Sequence, residues 1–297
     1  MEPVIRTRDL TKHYGRTVAL ESLDLAVPPG IVFGYLGPNG AGKTTTIRLL
    51  VGLLRPTRGR AEVLGIDGAR HPDEIQARLG YLPGEFEAYL DLNGEQYLRY
   101  LGNLRGGVDW TSATRLAKRL DLDLSRRIGT LSHGNRQKVG IVQAFMSDPA
   151  LLVLDEPTTG LDPLMQREFL ALVREARDAG RTVFLSSHIL SEVEAVADVV
   201  GILRQGRLVV VDAVESLKAK ALRRVDLTFA GDPPAAALAA VPGVREVRTS
   251  DATAHLTVEG STADLIAALA SYRVDNVVTH EPDLEEIFLA LYAGQEA

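Results

Sequence analysis

Alternating apolar and polar positions dominate the beginning of the chain. Residues 4–10 and 18–27 alternate as half-buried strands do, and Pro28-Pro29-Gly30 marks a turn after them. The apolar run over residues 31–36 then predicts a buried strand. The sequence therefore predicts a β-rich N-terminal subdomain.

The spacing of apolar residues becomes helical between residues 75 and 144, most clearly over 95–104 and 110–120. We place this helical insert at about residues 85–147. Beyond it, a short apolar run, a helical segment and another strand follow in turn. Strands that alternate with helices predict an α/β fold with a mostly parallel sheet.

A second, smaller domain is predicted after residue 223. Short strand and helix signals alternate over residues 225–279, and a closing helix follows over 284–292. The apolar residues on one face of that helix are Leu284, Ile287, Phe288 and Leu291. We therefore divide the chain into residues 1–223 and a C-terminal α+β domain over residues 224–297.

Composition narrows the class of protein. The 297 residues include 33 Lys and Arg against 39 Asp and Glu, and the net charge of −6 argues against a nucleic-acid partner. The absence of cysteine excludes disulfides and suits a reducing compartment. No apolar run approaches the roughly 18 residues that span a bilayer, and Met1-Glu2-Pro3 is not typical of a signal peptide. We expect a cytoplasmic protein that meets the membrane through a partner.

Residues 37–44 carry the clearest chemical signal in the sequence. They match the phosphate-binding pattern G-x-x-x-x-G-K-[ST] at every fixed position, and they read Gly37, Pro38, Asn39, Gly40, Ala41, Gly42, Lys43 and Thr44. The glycines let backbone amides curl around an anion, and Lys43 supplies a charge for the β- and γ-phosphates. Thr44 offers a hydroxyl to Mg²⁺, and Thr44 and Thr45 open a helix whose positive end faces the anion. The motif predicts binding of a nucleoside triphosphate.

Two carboxylates follow the apolar run over residues 151–154. Parallel sheets carry their chemistry at the carboxyl ends of strands, where these side chains lie. We predict that Asp155 holds Mg²⁺ through water and that Glu156 polarises an attacking water. A lone Asp-Glu pair more often only ends a strand, but the phosphate motif upstream favours the catalytic interpretation.

The segment Leu131-Ser132-His133-Gly134-Asn135 precedes a predicted helix, whose amino end could bind a second anion. It resembles the signature sequence of ATP-binding cassette (ABC) ATPases, which is usually leucine-serine-glycine-glycine-glutamine. The resemblance covers residues 4 to about 220. It implies the P-loop NTPase fold of an ABC cassette, with ATP and Mg²⁺ as cofactors.

The remaining family motifs follow in order. The resemblance implies that Tyr14 stacks on adenine, that residues 159–162 form the loop after the strand-end carboxylates, and that His188 contacts the γ-phosphate. It also implies that two copies stack head to tail. Each nucleotide would then lie between the phosphate loop of one copy and the signature segment of the other, and the further contact residues implied are Ser132, Gly134, Asn135 and Asp162.

The chain departs from the family pattern in two places. His133 and Asn135 replace a glycine and a glutamine of the signature, so we expect lowered or altered turnover. Gly84 falls where the family has a glutamine that helps to hold Mg²⁺ and touches the membrane partner. Glu85 could take that place, or it could be an exposed carboxylate in a turn.

The segment over residues 281–288 resembles the accessory domain of drug-export, daunorubicin-resistance-type ATPases. The leading hypothesis is therefore the ATP-hydrolysing subunit of an exporter, bound at the inner face of the membrane to a separate transmembrane permease. Two alternatives stay open: a soluble ABC ATPase that acts on DNA or ribosomes, and the ATPase subunit of an importer.

Overall fold

The computed structural model describes residues 2–293 of the chain. These residues form two compact units, and the division lies between Val211 and Asp212. Each unit has its own sheet system and its own apolar core.

The first unit contains two β-sheets. The antiparallel sheet has the order β2-β1-β4-β5 and consists of β1 (Ile5–Tyr14), β2 (Thr17–Val27), β4 (Arg58–Val63) and β5 (Ile66–Asp67). The central sheet has the order β10-β9-β3-β8-β7-β6 and consists of β3 (Val32–Leu36), β6 (Leu79–Leu82), β7 (Leu151–Asp155), β8 (Thr182–Ser187), β9 (Val199–Arg204) and β10 (Arg207–Ala213). Strands β6, β7, β8, β3 and β9 lie side by side in this order, and each neighbouring pair is parallel. This confirms the predicted α/β class.

Seven α-helices accompany these sheets within the described part of the first unit. They are α1 (Lys43–Leu50), α2 (Pro72–Arg78), α3 (Gly94–Leu104), α4 (Trp110–Arg119), α5 (His133–Phe145), α6 (Pro163–Asp178) and α7 (Leu190–Glu194). Helices α3 to α5 lie within the range that the sequence assigned to the helical insert. Asn93 begins α3 with a capping box, in which it and Gln96 satisfy each other's backbone amides.

The central strands are apolar because both faces of the sheet are covered. Every residue of β3, β7 and β8 is buried. The rings of Phe33 and Phe184 stack with centroids 5.5 Å apart, and Tyr35 lies 5.2 Å from Phe184. This packing fixes the three strands whose carboxyl ends carry the candidate site.

The second unit is a small α+β domain. It contains α8 (Val214–Lys220), β11 (Leu222–Phe229), α9 (Ala235–Ala239), β12 (Val244–Ser250), β13 (Thr253–Glu259), α10 (Ala263–Leu269), β14 (Val274–His280) and α11 (Leu284–Ala293). From β11 to β14 the order of elements is βαββαβ, and the antiparallel sheet has the order β12-β13-β11-β14. This is a ferredoxin-like arrangement.

The division between the units precedes the boundary that the sequence placed after residue 223. Helix α8 belongs to the second unit, where it contacts α11. Its partner is more than sixty residues away along the chain. Of the four apolar residues assigned to one face of α11, Leu284 and Ile287 are buried and Phe288 is partly buried. The side chain of Leu291 lies outside the described residues.

We expect Gly80→Ala to destabilise the first unit. A methyl group at Gly80, in β6, would lie 2.1 Å from the carbonyl oxygen of Ala144 in α5, and backbone cannot move aside as a side chain can. The expected loss in the free energy of unfolding is about 1–3 kcal/mol, measured by urea denaturation. Gly68→Ala is the matched control, since its added methyl would meet only ordinary contacts of 3.4 Å or more. Equal stability of the two variants would contradict the packing of α5 on β6.

Candidate active site

Residues 37–44 follow β3 directly: residues 37–42 form a loop, and Lys43 and Thr44 begin α1. Gly40 and Gly42 have φ angles of 79° and 109°, a region that favours glycine. At Gly37 a β-carbon would lie 2.6 Å from the carbonyl oxygen of Leu203. No side chain caps α1, so its first amides are not occupied by a capping oxygen. The loop therefore has the shape of an anion cradle.

Lys43, the first residue of α1, is 6% exposed and its ammonium group is held by oxygen atoms. Its Nζ donates to the carbonyl oxygen of Gly37 at 2.6 Å and lies 3.2 Å from Oε1 of Glu156. Thr44 and Thr45 follow in the first turn of the helix, both partly buried. The structure thus brings the lysine of the phosphate loop together with one strand-end carboxylate.

Asp155 is fully buried at the end of β7. Its Oδ1 accepts a hydrogen bond from Ser186 Oγ at 2.6 Å, whereas its Oδ2 has no partner among the described residues. Burial raises the pKa of this carboxyl group, while hydrogen bonds from Ser186 and Thr44 act in the opposite direction. The Asp155 carboxyl group interacts with the Thr44 side chain and keeps one oxygen without a partner, an arrangement that fits a hard divalent cation.

Within residues 2–293, no group of three or more His, Cys, Asp or Glu side chains is arranged to hold a metal ion. Mg²⁺ is usually bound by one or two protein ligands together with substrate phosphates. Thr44 and Asp155 are the residues that offer such ligands.

Glu156 follows Asp155 in a left-handed backbone conformation with a φ of 48°. A glutamate in this region is strained by about 1 kcal/mol, and such strain is concentrated at functional sites. The Glu156 amide donates to Ser186, at 3.1 Å to the carbonyl oxygen and 3.2 Å to Oγ. Its carboxylate Oε2 lies 2.6 Å from Nδ1 of His188 and accepts from the His188 amide at 3.3 Å. Glu156 thus stands between Lys43 and His188.

The signature residues lie at the amino end of α5. Ser132 caps this helix by accepting a hydrogen bond from the Asn135 amide at 3.3 Å. A β-carbon at Gly134 would lie 2.3 Å from the carbonyl oxygen of Gly160, so this position requires glycine. His133 lies against Gly160 as well. Among the described residues, no hydrogen bond or ion pair joins Ser132, Gly134 or Asn135 to the phosphate loop.

Tyr14 and Asp162, which the sequence analysis also named, lie at the end of a strand and at the start of a helix. Tyr14 ends β1 with its ring 47% exposed, and Lys12 Nζ lies 5.3 Å from the ring centroid. An exposed ring at this position is available for stacking on a base. Asp162 caps α6 through hydrogen bonds from the amides of Leu164 and Met165, so its carboxylate already has a structural role.

The loop at Gly84 approaches the candidate metal ligand. A β-carbon at Gly84 would lie 3.3 Å from Oδ2 of Asp155, the oxygen without a partner. Position 84 is thus beside the site, where glycine offers no ligand. Glu85, the residue that could have replaced the family's glutamine, is exposed.

Several polar residues of the site were not identified from the sequence. Ser186 holds both Asp155 and Glu156, Gln137 donates from α5 to the carbonyl oxygen of Pro157 at 3.0 Å, and Thr158 donates to Glu192 at 2.6 Å. The pair Ser186-Ser187 before His188 was the only visible signal, and it did not indicate which carboxylate the serines would contact.

A phosphate loop, two strand-end carboxylates and a parallel central sheet define a P-loop NTPase. The profile of the ABC transporter family matches residues 20–159. The chain belongs to the ABC transporter family, and it is an ATP-binding, ATP-hydrolysing subunit. No helix among residues 2–293 combines the length and apolar character needed to cross a membrane.

Two curated relatives and one solved structure illustrate the similarity. The daunorubicin/doxorubicin resistance ATP-binding protein of Streptomyces peucetius is 36% identical over 305 residues, which are 97% of this chain and 92% of the relative. The bacitracin transport ATP-binding protein of Bacillus licheniformis is 38% identical over 211 residues, which are 70% of this chain and 69% of the relative. A solved ATP-binding subunit of an ABC transporter superposes with a TM-score of 0.67 at 32% identity, covering 72% of this chain and 92% of that one.

We expect Glu85→Ala to leave ATP hydrolysis within about twofold of the unchanged protein, because an exposed carboxylate contributes little to a buried site. Phosphate release at saturating ATP and Mg²⁺ measures this. Glu87→Ala, an exposed residue two positions further on, is the matched control. A selective loss in Glu85→Ala would assign Glu85 to the metal or to a partner.

Proposed function

We propose that this chain is the ATPase subunit of an exporter of drugs or other small molecules, and that it works with a separate transmembrane permease at the inner face of the cell membrane. The observation that carries the proposal is the match to the daunorubicin/doxorubicin resistance protein, which extends over both structural units. The similarity to the bacitracin transport ATP-binding protein, over 70% of this chain, supports a role in the transport of a small molecule.

The phosphate loop is the proposed ATP-binding element. Its backbone amides would contact the phosphates, and Lys43 would exchange its hydrogen bond to Gly37 for the β- and γ-phosphate oxygens. Tyr14 would stack on the adenine ring. Thr44 and Asp155 would hold Mg²⁺, which would supply positive charge beside the phosphates. The unpartnered Asp155 Oδ2 supports this assignment.

Glu156 is the proposed general base for hydrolysis. Its carboxylate is fixed at two points, 3.2 Å from Lys43 Nζ and 2.6 Å from His188 Nδ1, so it is directed toward the phosphate loop. A carboxylate held in this way can orient and polarise a water that attacks the γ-phosphate. His188, which is bonded to Glu156, would contact the same phosphate group.

A second copy of the chain is the proposed partner that completes the site. Ser132 and the amides at the start of α5 lie on an exposed helix end, and no described contact joins them to the phosphate loop of the same copy. A helix end of this kind stabilises negative charge. In a head-to-tail pair, Ser132, Gly134 and Asn135 of one copy would contact the γ-phosphate bound by the other. Hydrolysis would remove that charge and separate the copies.

We expect Glu156→Gln to bind ATP, to lose most of its turnover and to form a long-lived dimer with ATP and Mg²⁺. The amide keeps the shape of the side chain but is a poor base, so release of phosphate should fall by about 100-fold or more. Phosphate release and size-exclusion chromatography with light scattering measure the two effects. Glu87→Gln, an exposed residue, is the matched control. Normal phosphate release by Glu156→Gln would refute the catalytic assignment.

We expect Lys43→Ala to weaken ATP binding itself. The variant loses a charge-assisted contact to the phosphates and leaves Glu156 without its ammonium partner. Affinity for a fluorescent ATP analogue should fall at least about tenfold, measured by equilibrium titration. Lys118→Ala removes an exposed lysine from α4 and should bind as the unchanged protein does. Equal affinity of both variants would contradict the assignment of the phosphate loop.

A further inference from the structure

A carboxyl group that has no role in the proposed hydrolysis is buried beside the candidate site. Glu192 belongs to the short helix α7 and is 9% exposed. Its Oε2 accepts a hydrogen bond from Thr158 Oγ1 at 2.6 Å and lies 3.5 Å from Ser187 Oγ. Its Oε1 is buried and has no partner among the described residues. Burying an acid with one unsatisfied oxygen lowers the stability of the folded protein, so we expect a function that accounts for its position.

The two partners of Glu192 come from the two segments that carry the catalytic candidates. Thr158 lies two residues after Glu156, and Ser187 directly precedes His188. Both are almost completely buried, at 3% and 1% exposure. Glu192 therefore connects the segment after β7 with the carboxyl end of β8, which leads directly to His188. The same two segments also meet through the contact between Glu156 and His188.

The signature helix is attached to the same loop. Gln137 of α5 donates to the carbonyl oxygen of Pro157, the residue between Glu156 and Thr158. This loop is consequently fixed at two neighbouring residues, from α5 through Pro157 and from α7 through Thr158. A shift of either helix would move Glu156, whose backbone has a φ of 48° and little freedom to compensate.

The environment favours the neutral form of Glu192. Burial raises the pKa of its carboxyl group, and the nearby charge of Glu156 acts in the same direction, against the hydrogen bonds from Thr158 and Ser187 and the effect of His188. A neutral carboxyl group keeps its acceptor for Thr158 without adding a second negative charge beside Glu156. Glutamine has the same shape and the same acceptor.

We propose that Glu192 is a positioning residue for ATP hydrolysis: by binding Thr158 and Ser187 together, it keeps Glu156 and His188 aligned on the phosphate loop. The proposal rests on the proposed roles of Glu156 and His188. Glu192 acts through its hydrogen bonds to the two segments. Its effect should appear in kcat rather than in KM, because its hydrogen bonds go to Thr158 and Ser187 and not to residues 37–44.

The test compares steady-state ATP hydrolysis of four variants of the full chain. For Glu192→Ala we expect kcat to fall about tenfold and KM for ATP to stay within about twofold. Thr158→Val removes the donor hydroxyl and should cause a similar loss. The double variant should lose no more than either single variant, because both changes break one connection. Glu192→Gln should restore kcat to within about twofold of the unchanged protein.

Three controls keep the test decisive. Ser191→Ala, an exposed neighbour in α7, should behave as the unchanged protein does. Thermal unfolding and binding of a fluorescent ATP analogue verify that each variant is folded. Should Glu192→Ala fail to fold, the near-isosteric Thr158→Val and Glu192→Gln carry the comparison.

A kcat for Glu192→Ala within about twofold of the unchanged protein would overturn the proposal, and so would an equal loss in Glu192→Gln, since the charge rather than the connection would then matter. Failure of the positioning role of Glu192 can be distinguished from failure of the catalytic role of Glu156. If Glu156→Gln is inactive while Glu192→Ala is fully active, only the positioning role fails. If Glu156→Gln hydrolyses ATP normally, the catalytic assignment fails instead.

Discussion

The ion pair between Lys43 and Glu156 is the interaction on which the rest of the site depends. The lysine is 6% exposed, and its Nζ lies 3.2 Å from the carboxylate. A charge buried to this extent costs several kcal/mol unless an opposite charge or several oxygen atoms surround it. The phosphate loop supplies the carbonyl oxygen of Gly37, and Glu156, the residue directly after β7, supplies the carboxylate. Loop and strand end are therefore held in one geometry, and the strained backbone of Glu156 is part of it.

Sheet register determines which side chains surround this pair. In the parallel sheet, Asp155 of β7 lies opposite Ser186 of β8, and Leu36 of β3 lies opposite Ser187. The phosphate loop, the two carboxylates and His188 consequently leave the sheet at one edge, at the carboxyl ends of neighbouring strands. The stacked rings of Phe33 and Phe184 in the core stabilise the register of β3 and β8, and with it the contacts of Ser186.

Features that depend on contiguous residues were predictable from the sequence, whereas features that depend on register were not. The phosphate loop was predictable because its mechanism lies in the backbone of eight consecutive residues. The contact of Ser186 with Asp155 spans 31 residues and that of Thr158 with Glu192 spans 34, and no local pattern specifies either. The structural division between Val211 and Asp212 precedes the predicted boundary, and the contact of α8 with the distant α11 is likewise specified by no local pattern.

The carboxyl groups of Asp155, Glu156 and Glu192 lie in different environments, and each environment suits a different role. Burial raises the pKa of both Asp155 and Glu192, and each has one oxygen without a partner. At Asp155, hydrogen bonds from Ser186 and Thr44 oppose the effect of burial, and a bound cation would favour the charged form further. Glu192 accepts from two hydroxyl groups, which a neutral acid can also do. Glu156 alone combines an ammonium partner with an imidazole at 2.6 Å. Among the three, it is the carboxylate placed between the phosphate loop and His188, and the one proposed to accept a proton from water.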